Sequence, residues 1–208
     1  MSNTLATLAK LIQGQYYHAP GDSLVSGITS LYHARPNQVA VYSSETHAAY
    51  LASLPDTAII LCAKKLALSQ PQLVSSVYPV RQAMAMLIPA FAYTLPELPS
   101  IIHPTATVHA TATYDTGVII DSYTTIASHV SIGKYCAIGK HCRIDSGVVL
   151  YDNTRIGDYT HVRANSVIGA PGFGYTTNKA GHHAAIHHQA GVWIGNAVSI
   201  GALTTIDR

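Results

Sequence analysis

Isoleucine, valine and leucine recur at every sixth residue through the middle of this chain. The series runs Ile102, Val108, Tyr114, Ile120, Ile126, Ile132, Ile138, Ile144, Leu150, Ile156, Val162 and Ile168, and Tyr114 is its one exception. If half of all positions are apolar, such a run arises by chance roughly once in two thousand. A second series lies two residues earlier in each hexad: Ala106, Ala112, Val118, Thr124, Val130, Cys136, Cys142, Val148, Thr154, Thr160 and Ser166. Every member is small or β-branched. Residues two apart in an extended chain point to the same side, so each hexad offers one large and one small inward side chain. Gly133, Gly139, Gly157 and Gly169, with Asp115, Asp121 and Asp145, follow directly after the large residue, where turn formers are expected. A six-residue repeat of this kind predicts a parallel β-helix.

The period breaks after Ile168 and resumes at Ile194, Ile200 and Ile206, with Val198 and Thr204 in the small position. Between them lies an expected loop insertion at 170–191, and long loops within compact repeats often carry function. Residues 1–95 show no hexads. Leu5, Leu8, Leu11 and Ile12 share one face of a short helix ended by Gly14, "TAIILCA" (57–63) reads as a buried strand, and 79–88 reads as a helix with proline in its first turn. The expected organisation is an α/β domain at 1–95, a proline-rich linker at 96–101 and a β-helix over 102–208.

Cys136 and Cys142 fall in the small inward series, which makes them compact packing residues. Five residues separate them, against two to four between paired cysteines in structural zinc sites. Three scattered cysteines give no disulfide framework and fit a reducing cytosol. A net charge of +2 gives no footprint for nucleic acid. No apolar run approaches the ~20 residues of a transmembrane helix, and the N-terminus lacks a signal-peptide pattern. These features predict a soluble, cytoplasmic protein.

Residues 21–41, beginning "GDSLVSG", 102–108 "IHPTATV", 169–175 "GAPGFGY" and 194–208, ending "TTIDR", together resemble the UDP-3-O-acylglucosamine N-acyltransferases of lipid A biosynthesis. "GDSLVSGITSLYHARPNQVAV" (21–41) is similar to their N-terminal Gly-Asp…Ser-Leu-x-x-Ala-x-Pro pattern, and "IHPTATV" (102–108) to the opening of their β-helix. The most specific are "GAPGFGY" (169–175) and "IGNAVSIGALTTIDR" (194–208). The resemblance implies an α/β uridine-binding-like domain followed by a left-handed parallel β-helix with three hexads to a coil. Its implied chemistry moves a 3-hydroxyacyl chain from acyl carrier protein to the 2-amino group of a UDP-sugar. That chemistry needs no cofactor and no metal, and the implied assembly is a homotrimer. Phe173, Gly174, Tyr175 and Asp207 become the expected substrate-binding residues. The family's catalytic histidine lies in an Ile-Ala-His-Asn segment downstream of Thr-Ile-Asp-Arg. It is therefore expected beyond Arg208, leaving this chain a truncated fragment without its catalytic residue.

The chain also departs from the pattern. The family holds uracil at a Phe-x-x-Asn-Pro-x-Tyr stretch; here Val41, Ser44 and His47 replace the Phe, Asn and Tyr, and Tyr42 is the available substitute. Pro171 stands where the Gly-Phe-Gly-Tyr loop carries an acidic residue. "HHAAIHH" (182–188) pairs His182 with His187 and His183 with His188, a spacing shared by the γ-class carbonic anhydrases, whose β-helix binds zinc. The outward Lys134, Lys140, Arg143 and Arg155 form either a solvated surface or a greeting for an acidic carrier protein. Three classes stay open: an N-acyltransferase, a zinc lyase, and a β-helix kept for assembly or binding.

Overall fold

The structure, a computed structural model, describes residues 3–92, 96–177 and 180–208. The edges of the expected 1–95 domain and residues 178–179 of the expected insertion lie outside the described residues. Contacts divide the chain into two compact units: Met1–Tyr93 with Gly174–His187, and Thr94–Phe173 with His188–Arg208. The middle of the insertion, expected within the β-helix domain, thus belongs to the first unit.

In the first unit, helix α1 (Leu5–Leu11) starts where the Thr4 side chain accepts from the Thr7 amide. Strands β1 (Gln15–Tyr17), β2 (Gly27–Ser30), β3 (Gln38–Val41), β4 (Ile59–Cys62) and β5 (Gln72–Val74) precede helix α2 (Val80–Leu87). They form one sheet in the order β1-β5-β4-β3-β2, parallel except for β1. The strand alternation sorts two cores. Val39, Ile59, Leu61 and Leu73 pack with α1 and α2 on one face, while Ala40, Ile60, Cys62 and Val74 pack with Leu31, Leu51 and Leu54 on the other. Leu5, Leu8 and Ile12 are fully buried, but Leu11 is 44% exposed, because it falls off the edge of the stripe that those residues define. The hairpin Tyr175–Thr177/His183–Ala185 packs its first strand beside α2.

In the second unit, two-residue strands stack into three parallel five-stranded sheets, each partner 18 residues from the next, as in Thr125↔Arg143↔His161. Five three-sided coils result, the first opening at Ile101–Ile102 and the last closing at Thr205–Asp207. Across the insertion the partners are 38 residues apart instead, so Ile194 stacks on Ile156 and the interrupted period resumes in register. Large inward residues from Ile120 to Ile168 are at most 3% exposed. Tyr114, the exception in the series, sits in the first coil and is 46% exposed. Residues 96–100, expected as a linker, are laid along the solenoid. Leu98 O accepts from Gly117 N and from Thr116 Oγ1, and Pro96 O accepts from Tyr135 Oη.

The corners turn directly after the large residue, as the sequence expects. Left-handed backbone occurs three residues before the large residue at Gly117, Tyr123, His129, Tyr135, His141, Gly147, Asn153, Tyr159, Asn165, Ala197 and Leu203. Such a conformation costs roughly 1–2 kcal/mol outside glycine. Part of the cost is offset by rings: His141 stacks between Tyr123 and Tyr159 at 4.9 and 5.0 Å. Corner amides add a ladder of their own, with Tyr135, His141 and Asn153 donating to Thr116, Ser122 and Lys134 carbonyls. Gly133 and Gly139 are needed for a different reason, which is close approach. A Cβ on Gly139 would lie 2.8 Å from the Asp158 amide nitrogen, where Asp158 caps Lys140 N from the next coil.

Substitutions at three consecutive positions separate these roles. Ile138→Ala is expected to cost ~2–5 kcal/mol through the cavity it leaves. Gly139→Ala is expected to cost ~1–3 kcal/mol by overpacking, and exposed Lys140→Ala to stay within ~0.5 kcal/mol. Denaturant unfolding of the three variants checks the order. Equal losses at all three would contradict the inward assignment.

Candidate functional site

Strand β3 places consecutive residues on opposite faces of the sheet, and this decides which aromatics can reach a ligand. Val41 faces α2 and lines a cleft of ≈ 420 Å³ with Ile28, Ser30, Tyr32, Ser43, His47 and Met84. Tyr42, the expected substitute for the missing aromatic, packs toward the other core and lines a separate cleft with Glu45, Cys62 and Lys64. The ring that the sequence reading missed is Tyr32. It meets His47 edge-on at 5.6 Å and Tyr50 at 4.6 Å. Tyr32 was visible inside the quoted "SLYHARP" stretch, but only the fold brings it beside position 47. Apolar walls with two rings and a few hydroxyls suit a planar heterocycle.

The four predicted substrate residues do not share one unit. Phe173 and Asp207 belong to the β-helix unit, Gly174 and Tyr175 to the first. Phe173 is 94% exposed, so it is not filler beneath the loop. Asp207 pairs with Ala170 across a register shift at the root of the insertion. There a Cβ on Gly172 would lie 3.5 Å from both Asp207 Cβ and His188 Nε2, which adds His188 to the neighbourhood of Asp207.

The thiols are hydrogen-bonded packing groups. Cys136 Sγ donates to Tyr151 O and Cys142 Sγ to Gly157 O, both at 3.1 Å, much as Thr160 and Ser166 donate to Gly195 O and Gly201 O. Burial pushes the Cys136 and Cys62 thiols up to about 11, and raises Cys142 as well. Thiolate nucleophilicity is suppressed at neutral pH.

Histidines serve the coils in several ways. His103 and His109 Nδ1 lie 2.9 Å from Thr105 and Thr111 Oγ1 and accept from the same residues' amides, closing turns. His183 Nδ1 is 3.1 Å from Thr177 Oγ1 in the hairpin. His161 Nε2 is 2.8 Å from Asp145 Oδ2, and Arg143 Nε donates to Oδ1. Partial burial pulls the Asp145 carboxyl upward, but hydrogen bonds from Arg143 and His161 together hold it below the usual range. Among the described residues, no three His, Cys, Asp or Glu side chains group to hold a metal ion. The four basic residues do not gather on one face. Arg143 is tied to Asp145, Arg155 lies over the Trp193 ring at 5.4 Å on another sheet, and Lys134 and Lys140 stand at two different corners. No helix among the described residues is long and apolar enough to cross a membrane.

Comparison with known proteins agrees with this architecture. The bacterial transferase hexapeptide family (six repeats) matches residues 135–170. The fold is a left-handed parallel β-helix preceded by an α/β domain, in keeping with that match. The chain is similar to the UDP-3-O-acylglucosamine N-acyltransferase of Wolinella succinogenes, 44% identical over 61 residues, or 29% of this chain and 19% of that protein. The enzyme of the same name from Protochlamydia amoebophila is 57% identical over 42 residues, 20% of this chain and 12% of that one. The Helicobacter pylori enzyme is 48% identical over 61 residues, 29% of this chain and 18% of its own length. The matched stretches thus span less than a fifth of these relatives. Among solved structures, the acetyltransferase domain of PglB from Neisseria gonorrhoeae FA1090 in complex with acetyl coenzyme A covers 88% of this chain and 93% of that one. Its identity is 15% and its TM-score 0.20, a likeness too small to bear on the fold.

The raised thiols predict a pH dependence. Between pH 9 and about 11 the unfolded chain releases thiol protons that the folded chain keeps, so stability falls as pH rises through that window. Thermal melts should show the wild type losing more stability there than a Cys62→Ser/Cys136→Ser variant. Parallel curves, or rapid labelling of Cys136 in the folded protein at about pH 8, would contradict burial as the controlling influence.

Proposed function

We propose that the chain forms part of an acyltransferase of the UDP-3-O-acylglucosamine N-acyltransferase type, acting in the cytoplasm in lipid A biosynthesis. The 44–57% local identity to enzymes of that name carries the assignment. The cleft of Tyr32 and His47 supports it by offering rings to a base.

In the proposed reaction the sugar's 2-amino nitrogen attacks the thioester carbonyl of a 3-hydroxyacyl chain on acyl carrier protein. The C–N bond forms, the C–S bond breaks, a histidine takes the ammonium proton, and the departing carrier thiolate is protonated. A thioester is already activated, so no side-chain nucleophile is required. A general base contributes about 10²–10⁴-fold. We assign that base to none of this chain's histidines, following the resemblance, in which it lies in an Ile-Ala-His-Asn segment. Phe173, Gly174, Tyr175 and Asp207 are assigned to substrate contacts, with exposed Phe173 suited to an acyl chain. The proposed homotrimer is supported by the outward residues of one sheet. Ile101, Ile119, Ala137 and Trp193 make one face of the prism largely apolar, with Arg155 between Ala137 and Trp193. Ile101 is 62% exposed and Trp193 76%, a surface suited to a second copy.

The 208-residue protein should bind UDP-N-acetylglucosamine, and Tyr32→Ala should weaken that binding about tenfold by calorimetry. Binding indifferent to both Tyr32→Ala and His47→Ala would sink the nucleotide-sugar assignment. No N-acyl transfer is expected from this chain. Turnover would relocate the base, and His161, the histidine held by a carboxylate, would be the first to replace. By sedimentation, Ile119→Glu should convert a trimer to monomer; an unchanged trimer would exclude this face.

A further inference from the structure

We propose that the cleft between the start of α2 and the hairpin strand Tyr175–Thr177 binds a phosphoryl group, with Arg81 as its cation. The cleft lies within the first unit and measures ≈ 620 Å³. Its lining includes Ser43, Ala63, Pro79, Arg81 and the three strand residues. Four of these side chains carry hydroxyls, from Ser43, Tyr175, Thr176 and Thr177, and no carboxylate lines the cleft among the described residues. Thr177 Oγ1 also meets His183 Nδ1. Glu45 and Lys64 line the adjoining cleft instead.

Arg81 is the informative residue. It is exposed, and it has no hydrogen bond, ion pair or ring partner among the described residues. It also stands in the first turn of α2, whose start has no side-chain cap. A cation there is unfavourable for the helix by itself, because the first amides already carry partial positive charge. An anion in the cleft would give the guanidinium the partner it lacks. A guanidinium in a cleft that hydroxyl side chains also line, with no carboxylate among the described lining residues, matches a phosphoryl group better than a neutral ligand.

Ser43 lines this cleft and also the cleft of Tyr32 and His47. A diphosphate attached to a base held there could extend past Ser43, the residue the two clefts share, toward the cleft of Arg81. Free phosphate or pyrophosphate offers the same chemistry without the base. Only the nucleotide source rests on the function proposed above.

Calorimetric titration of the full 208-residue protein separates the possibilities, using inorganic pyrophosphate, UDP and uridine as probes. Arg81→Gln should weaken pyrophosphate and UDP about tenfold or more and leave uridine unchanged. Arg81→Lys should recover part of the loss, since it keeps the charge without the fork. Binding should also weaken with added salt. Tyr32→Ala should act in the opposite sense, weakening uridine and UDP but not pyrophosphate. Arg81-dependent pyrophosphate binding without any uridine binding would support the phosphoryl site and discard the nucleotide as its source. No pyrophosphate binding, or binding indifferent to Arg81→Gln and Ser43→Ala in variants that keep the wild-type circular dichroism, overturns the proposal.

Discussion

Each inward side chain of the solenoid rests on its counterpart one coil away, 18 residues along the chain, and that single contact organises the second unit. Ile120, Ile138 and Ile156 form one such column, and Ile126, Ile144 and Val162 another. Burying each large residue contributes roughly 1.5–3 kcal/mol, but only if its neighbours are in register. A shift by one residue would turn every large side chain to solvent. The insertion is tolerated for the same reason. It leaves after the fourth coil, and Ile194 returns directly onto Ile156. The solenoid does not measure the length of chain between coils. It requires only that the next hexad arrive on the column.

Stacking at strand separation makes the corners crowded, and the corners then dictate residue types that inward packing does not. Where an Asp from the next coil caps the amide after the large residue, glycine is the only side chain that fits, as at Gly133 beneath Asp152 and Gly139 beneath Asp158. Where the backbone turns left-handed, Tyr, His, Asn, Ala and Leu stand beside glycine, and some of them find a local partner. Tyr123, His141 and Tyr159 find it in one another. In the small inward series, the hydroxyl or thiol supplies a donor to a corner carbonyl that strand pairing leaves short.

These distinctions explain what the sequence made legible. The inward series could be read because a period of six is imposed at every coil and any violation is buried. Cys136 and Cys142 were placed correctly by that period, although their hydrogen bonds were not visible, since the acceptors lie 15 residues on. The turns fall directly after the large residue as expected, but the reason for glycine at 133 and 139 was not visible: it answers contact between coils, while the left-handed residue stands two positions further on. In the first unit the helices and the buried strand were legible from local pattern. Tyr32 was not, because its meeting with His47 depends on two irregular segments separated by β3.

The abundance of histidine has the same origin. His103 and His109 accept from the amide two residues on, the role Asn and Asp play in turns elsewhere, and His129 and His141 hold left-handed corners. Twelve histidines in 208 residues therefore need no shared chemistry to account for these four. The ring nitrogens of His103 and His109 serve their own turns, and the His141 ring stacks between two tyrosines. His161 differs, because its outward strand position lets Nε2 meet a carboxylate that also binds Arg143. Such a pair fixes the ring through side chains rather than through the turn it belongs to. Residue counts could not separate these roles; the position of each histidine within its hexad does.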